Sequence, residues 1–218
     1  MDIQSMLLQL GEGMITSAEI FFLTLLFALP LGLLVAFGRM SRFSPVRNLM
    51  RLYISIMRGT PLMLQLMLVY FGPYYLFEVR LAPWYRFVAV ILGFSLNYAA
   101  YFAEIYRSGI EGIPKGQYEA ARILGYTRAK TFVRIILPQV IKQILPPVTN
   151  EVITLVKDTS LAFVIAISEM FTIAKEIAAA QTNVGPLLAA GVFYFIFNAI
   201  VAFAMSRIEK ALSYYSVG

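Results

Sequence analysis

The chain contains no cysteine and no histidine. Disulfides, thiolate nucleophiles, imidazole bases and the common zinc sites are therefore excluded, and no metal site is expected. Charge is scarce as well: 14% of residues are Asp, Glu, Lys or Arg, against about 25% in an ordinary soluble domain. No GxxxxGK[ST] segment occurs, so the chain does not hold nucleotide in that manner. Nor is there a GxSxG elbow for a serine nucleophile. The N-terminus carries Asp2 and Glu12 instead of a positive region before a short apolar run, so a removable signal peptide is not expected.

What the chain has in quantity is apolar surface. Hydrophobic residues make up 60% of 218 residues, with a mean hydropathy of +0.75. A soluble core of this size does not need that much, and the class indicated is an all-α polytopic membrane protein forming a single transmembrane domain over residues 1–218. A bilayer core takes about 20 apolar residues of helix. Five such spans are predicted, at residues 14–38 (with Pro30 tolerated as a kink), 54–77, 86–106, 139–156 (with Pro146 and Pro147) and 186–205. Residues 161–167 are apolar but too short to cross, and are expected to form a re-entrant or interfacial piece.

The basic residues set the orientation. Arg39, Arg42, Arg47, Arg51 and Arg58 fall between the first two spans, and Arg107, Lys115, Arg122, Arg128, Lys130, Arg134 and Lys142 between the third and fourth. Arg207 and Lys210 follow the fifth, leaving only Arg80, Arg86, Lys157 and Lys175 for the other side. The positive-inside rule puts the N-terminus outside and the C-terminus in the cytoplasm. It also accounts for the net charge of +6 by contact with an anionic leaflet, without nucleic acid. An odd span number and no visible internal similarity argue against an inverted-repeat secondary transporter.

One polar, basic stretch interrupts this chain. It runs over the cytoplasmic loop 107–138 and contains Glu119-Ala120-Ala121, then Gly125, then Ile135-Ile136-Leu137-Pro138. Pro114 suits a helix start and residues 117–124 are good helix formers. Gly125 can take the left-handed conformation that ends a helix. Thr127 can cap a second helix over 128–136, which Pro138 is expected to separate from the fourth span. Ala120 and Ala121 would allow close approach of a partner, Glu119 offers it a carboxylate, and Tyr118 and Leu124 offer apolar anchors. Taken alone, Glu-Ala-Ala reads as an ordinary amphipathic loop helix; with the remaining spaced positions it reads as a docking element.

This spacing resembles the EAA loop of the permease subunits of bacterial ABC importers, the socket for the ATPase subunit in that family. The resemblance extends further. Arg58-Gly59-Thr60-Pro61-Leu62 with Gln65, Tyr101, Glu104 and Arg107-Ser108-Gly109-Ile110 with Gly116-Gln117, and Lys157-Asp158-Thr159-Ser160-Leu161 are similar to segments of the polar amino acid subgroup of type I importers. Ser108 stands where many relatives carry Gly. The resemblance implies a coupling helix in the loop, a second permease chain (identical or a close paralogue), two ATPase subunits and an external substrate-binding protein. It also implies residence in the bacterial cell (inner) membrane and alternating access driven through the loop. ATP and magnesium would belong to the ATPase subunits, and this chain would be a transport subunit without a catalytic site or cofactor.

Ionisable groups at span depth cost about 2.5–3.5 kcal/mol each on insertion scales, so each is a candidate for function. Asn97, Glu151 and Asp158-Thr159-Ser160 are the substrate-binding candidates: a frayed helix end with hydroxyls and free backbone groups suits an amino acid. Each has a plainer reading. Asn97 could bridge neighbouring helices, Glu151 could pair with a base or face a second chain, and Asp158 could cap the following short helix. Glu104 and Arg107 are expected to form an ion pair. Tyr74, Tyr75, Trp84 and Tyr85 are expected to form an outer aromatic belt. With Glu19, Glu151 and Asp158 near the path, the substrate expected is a basic amino acid (arginine, lysine or histidine), with glutamine or glutamate as the alternative. A channel or structural subunit without an ATPase partner is a second class, and a membrane enzyme a third that lacks its usual bases.

Overall fold

The computed structural model describes residues 2–212, so Met1 and residues 213–218 of the predicted domain lie outside the described residues. Among the described residues every regular element is helical. The first, α1, runs over Ile3–Arg39, opened by Asp2, whose side chain accepts from the Ser5 N–H at 2.9 Å. At about 1.5 Å per residue, a helix of 37 residues is about 55 Å long, against about 30 Å of hydrocarbon. It therefore begins well before the predicted residue 14, and Pro30 lies within it without ending it.

The second predicted span is not one helix. Two helices, α2 (Ser44–Gly59) and α3 (Leu62–Phe77), are bent by 110° at Thr60-Pro61. Proline removes the N–H that would continue the helix and forces the residue before it out of helical space; Thr60 is extended (φ −125°, ψ 149°). The carbonyls freed at the break find side-chain partners. Asn97 Nδ2 donates to the Met57 carbonyl at 3.0 Å, and Gln65 Nε2 donates to the Met57 and Thr60 carbonyls at 3.0 and 3.1 Å. In a medium without water such satisfaction is what permits a broken helix.

The long helix α4 (Tyr85–Glu111) occupies the centre. Its Phe94, Tyr98 and Phe102 are buried against Ile20, Phe21 and Ala28 of α1 and Leu66 of α3. Packing between membrane helices relies on close approach, since lipid offers no hydrophobic drive. At Gly32 of α1 a Cβ would lie 2.8 Å from the Phe102 Cβ, so only glycine lets α1 reach α4 there. After α4 come α5 (Lys115–Ile123), the single turn α6 (Arg128–Thr131) and a π-helical turn (Phe132–Ile136), which leads without interruption into α7 (Leu137–Asp158). Pro138 therefore does not separate the loop from α7. It occupies the first turn of α7, where its absent N–H is least costly, and the wider π turn precedes it. Pro146 and Pro147 lie inside α7.

A 3₁₀ helix, Thr159–Ile165, follows α7 and turns at Ala166 (φ 56°) into α8 (Met170–Gln181), an element the sequence reading did not anticipate. The last helix, α9, covers Gly185–Leu212. Among the described residues three helices (α1, α4 and α9) are long and apolar enough to cross a membrane, and the α2–α3 pair raises this to four if it counts as one broken span. α7 is long enough but carries Lys142, Glu151, Lys157 and Asp158. At the predicted belt, Tyr74, Tyr75 and Trp84 are exposed, while Tyr85 is half-buried and donates to the Val69 carbonyl at 2.8 Å.

Candidate functional site

Two regions stand out. The first is the loop between α4 and α7. Pro114 caps α5, and Leu124, Gly125 and Tyr126 close it by donating to the Ala120, Arg122 and Ala121 carbonyls at 3.1, 3.0 and 3.0 Å. Gly125 holds φ 76°, which glycine accepts without a Cβ penalty. Thr127 then caps α6, accepting from the Lys130 N–H at 3.4 Å. Ile113, Ile136 and Val140 are buried with Ile110, Phe132 and Ile144, seating the loop on the ends of α4 and α7. Ile136 of the Ile-x-Leu-Pro stretch is thus an anchor of the loop itself.

The outer side of the loop presents Glu119, Ala120, Arg122 and Leu124 to solvent, with Tyr118 37% and Leu124 73% exposed. Ala121 is 1% exposed and faces inward, so it is withdrawn from any partner's surface, contrary to its expected place beside Ala120. Ile123, which the sequence reading passed over, is the most open apolar side chain here at 86%.

The second region is a cavity of about 320 Å³ between α3, α4 and α7, within the range of small-molecule sites, about 300–1,000 Å³. Thr60, Pro61 and Leu62 at the helix break line one side. Asn97, Tyr98 and Tyr101 of α4 and Glu151, Thr154 and Asp158 of α7 line the rest. The tertiary fold thereby brings together Asn97, Glu151 and Asp158, which lie far apart in sequence. Asp158 Oδ2 accepts from the Tyr98 hydroxyl at 2.7 Å and makes no side-chain cap to the following helix, so its reading as a cap does not hold. Asn97 does bridge helices, donating to Gln65 Oε1 at 2.9 Å as well as to Met57.

Thr159 and Ser160 do not line this cavity. Thr159 is fully buried, and the two hydroxyls donate to the Val156 and Lys157 carbonyls, both at 2.8 Å. The helix end here does not fray: it tightens into a 3₁₀ helix, and the hydroxyls go to carbonyls of the last turn of α7. Glu19 is also elsewhere, exposed on α1 beside Ile15, Phe22 and Phe87. Glu104 and Arg107 form the expected ion pair at 2.7 Å, extended by Glu111 on the same helix.

Sequence reasoning missed Glu169, the only carboxylate that is fully buried among the described residues. It opens α8, accepting from the Phe171 and Thr172 N–H groups at 2.8 and 2.7 Å. It also takes hydroxyls from Thr172, Tyr194 of α9 and Ser17 of α1, at 2.8, 3.0 and 3.4 Å. The available signal was a carboxylate directly before a run of helix formers.

A cavity with a polar lining set against α4, a helix long and apolar enough to cross a membrane, fits a membrane transport subunit. The particular family follows from comparison. Residues 28–214 match the binding-protein-dependent transport system inner membrane component family, and the chain belongs to it. It is 37% identical over 210 residues to the L-cystine transport system permease protein TcyB of Bacillus subtilis (strain 168), covering 94% of this chain and 87% of that one. It is 37% identical over 202 residues to the arginine transport system permease protein ArtQ of the same organism, covering 92% and 91%. The resemblance to amino acid permeases of ABC importers noted in the sequence is thereby borne out. Among solved structures, an amino acid ABC transporter crystallised with histidines superposes with a TM-score of 0.86 at 32% identity, covering 97% of this chain and 99% of the other. The MetNI methionine ABC transporter in inward-facing form shares the fold, with a TM-score of 0.72 at 19% identity over 97% and 99%.

Proposed function

We propose that this chain forms the translocation path of an ATP-driven importer of basic amino acids, with the α3–α4–α7 cavity as its substrate site. The observation that carries the reading is the lining of that cavity: two carboxylates, Asp158 and Glu151, and no Lys or Arg among the residues that line it, the nearest cations, Arg58 and Lys157, standing outside the lining. In a low-dielectric setting two acids on a lining with no base of its own favour a cationic ligand. The N-terminal end of α3, opening at Leu62 on the same wall, offers the positive end of a helix dipole to the ligand's α-carboxylate. Asn97 holds the break open, and Thr159 and Ser160 support the end of α7 without touching the ligand. Uptake of radiolabelled arginine by the reconstituted transporter, competed by lysine or histidine, is the expected result. Uptake of glutamine or glutamate but not arginine would replace this reading with the alternative.

The same reading gives the chain five spans, with α2–α3 as one broken span and α7 as another, the N-terminus outside and the C-terminus in the cytoplasm. The surface of α5 and the turn after it, with Tyr118, Glu119, Ala120, Leu124 and Gly125 and with Ile123 added, takes an ATPase subunit. Two ATPases, which bind ATP and magnesium, a second permease chain and an external substrate-binding protein complete the importer. ATP-driven closure of the ATPases would move α5 as a lever and switch the cavity between faces. Loss of ATPase co-purification in Glu119→Lys is the expected outcome, and unchanged co-purification with unchanged uptake would remove the docking role.

A further inference from the structure

A second cavity, of about 260 Å³, adjoins the first and shares two of its walls, Tyr101 and Glu151. Its other walls are Arg58, Glu104, Ile105 and Ser108, so it lies further along α4 toward the end bearing the docking loop. At the junction stands Arg58, its guanidinium carbon 5.2 Å from the centre of the Tyr101 ring. Arg58 is exposed and, among the described residues, forms no ion pair within 4.0 Å. That is unusual company for an arginine outside any ion pair, because two carboxylates line the same cavity. Glu151 is on the shared wall, and Glu104 lies in the second cavity, already held by Arg107 at 2.7 Å and approached by Arg39 at 4.0 Å.

Arg58 also sits where its position can change. It occupies the last turn of α2, the end whose dipole favours a cation, directly before the Thr60-Pro61 break. Gly59, between Arg58 and that break, has open space where a side chain would be. Element ends of this kind absorb the dihedral changes of a hinge. A guanidinium resting on an aromatic face is held by about 0.5–2 kcal/mol, firm enough to populate one position and weak enough to leave it.

We propose that Arg58, resting on Tyr101, is the inner gate of the substrate cavity and its charge filter. This rests on the reading of the first cavity as the substrate site. With Arg58 on the ring, a positive charge lies between the two cavities and opposes passage of a cation held at Asp158 and Glu151. When the end of α2 moves, Arg58 leaves the ring and competes for Glu151, so the substrate's cationic group is displaced toward Glu104. Arg58 thus acts as a specificity-determining residue that opposes leak in one state and assists release in the other.

The test needs no knowledge of the substrate. The natural chain has no cysteine, so Thr154→Cys places a single thiol on the wall of the first cavity. The full transporter is placed in inside-out vesicles without ATP. Modification of that thiol on the permease chain is then timed with a cationic and a neutral methanethiosulfonate reagent. Arg58→Gln and Tyr101→Leu are expected to speed the cationic reagent about fivefold, the ratio corresponding to about 1 kcal/mol of cation–π attraction. The neutral reagent should change less in Arg58→Gln, and Tyr101→Phe, which keeps the ring, should match the parent. Unchanged cationic rates in Arg58→Gln, or Tyr101→Phe as fast as Tyr101→Leu, would overturn the gate. Elution of the assembled transporter as a single peak in size-exclusion chromatography shows which variants are folded. Arginine uptake by the parent is scored separately, so a wrong substrate class and a wrong gate give different results.

Discussion

Asp158 shows how one side chain acquires a role from its neighbours. Its carboxylate is held by the Tyr98 hydroxyl at 2.7 Å, and Tyr98 is itself 2% exposed within the packed face of α4. A hydrogen bond to a charged group contributes about 1.5–3 kcal/mol, so Asp158→Asn is expected to lower kcat/KM for arginine uptake about tenfold or more. Tyr98→Phe, which removes only the positioning hydroxyl, should cost less; equal uptake by Asp158→Asn and the parent would place the ligand elsewhere. Glu169 illustrates the opposite case, a carboxylate whose work is structural. Its removal in Glu169→Ala takes the acceptor from donors of α8 and α9, while Ser17 of α1 keeps the Gly13 carbonyl at 3.2 Å; the cost is about 1–3 kcal/mol for each buried group left without a partner. A drop of several degrees in the melting temperature in detergent is expected, and a smaller one for Glu169→Gln, which still accepts through one oxygen. Asp158 was legible as a candidate because it stands at a predicted helix end. Glu169 was not, because its partners Ser17 and Tyr194 are remote in sequence.

Among the elements, the loop between α4 and α7 was the most readable. Its features are local: Pro114 at the start of α5, Gly125 in the left-handed region, Thr127 as the next cap. Gly125 has open space where a side chain would be, so its demand is conformational alone. Gly125→Ala should therefore lose about 1–2 kcal/mol of local stability. Gly125→Asn, which tolerates that region better, should lose less. Coupled ATPase activity should fall in the same order, and equal activity in both would show that the turn can relax. The broken α2–α3 span was harder. Pro61 was visible, yet Pro30, Pro146 and Pro147 are accommodated within helices. What distinguishes Pro61 is that Gln65 and Asn97 stand ready to take the freed carbonyls, and Asn97 comes from another helix. The continuous run from α6 into α7 was missed for a related reason: a π turn upstream accommodates Pro138, and no local sequence rule announces a π turn.

For the whole molecule, the family is settled, and a permease of this family is useful only if its loop and its cavity face the compartments they serve. The cysteine-free chain makes the proposed orientation easy to measure. Arg80→Cys and Asn183→Cys should react with a membrane-impermeant maleimide on intact cells, and Arg122→Cys only after permeabilisation. The reverse pattern would invert the topology. Helix packing is a second property of the whole. Gly32→Leu would drive a side chain into Phe102 across the α1–α4 contact. The expected result is loss of folded protein in detergent by size-exclusion chromatography, with no substitute contact available from lipid.

The sequence alone determined the membrane class, the clustering of basic residues and the helix–turn shape of the loop between α4 and α7, because hydropathy, charge placement and turn chemistry act over a few residues to a few turns. It also pointed to Asn97, Glu151 and Asp158 as costly groups at depth. Only the tertiary structure decided that these three share a cavity, that Thr159, Ser160, Glu19 and Ala121 face elsewhere, and that Arg58 lies on Tyr101. Those outcomes depend on which faces of α2, α3, α4 and α7 meet, and that is set by close approaches such as Gly32 against Phe102 and by polar groups that find partners across helices.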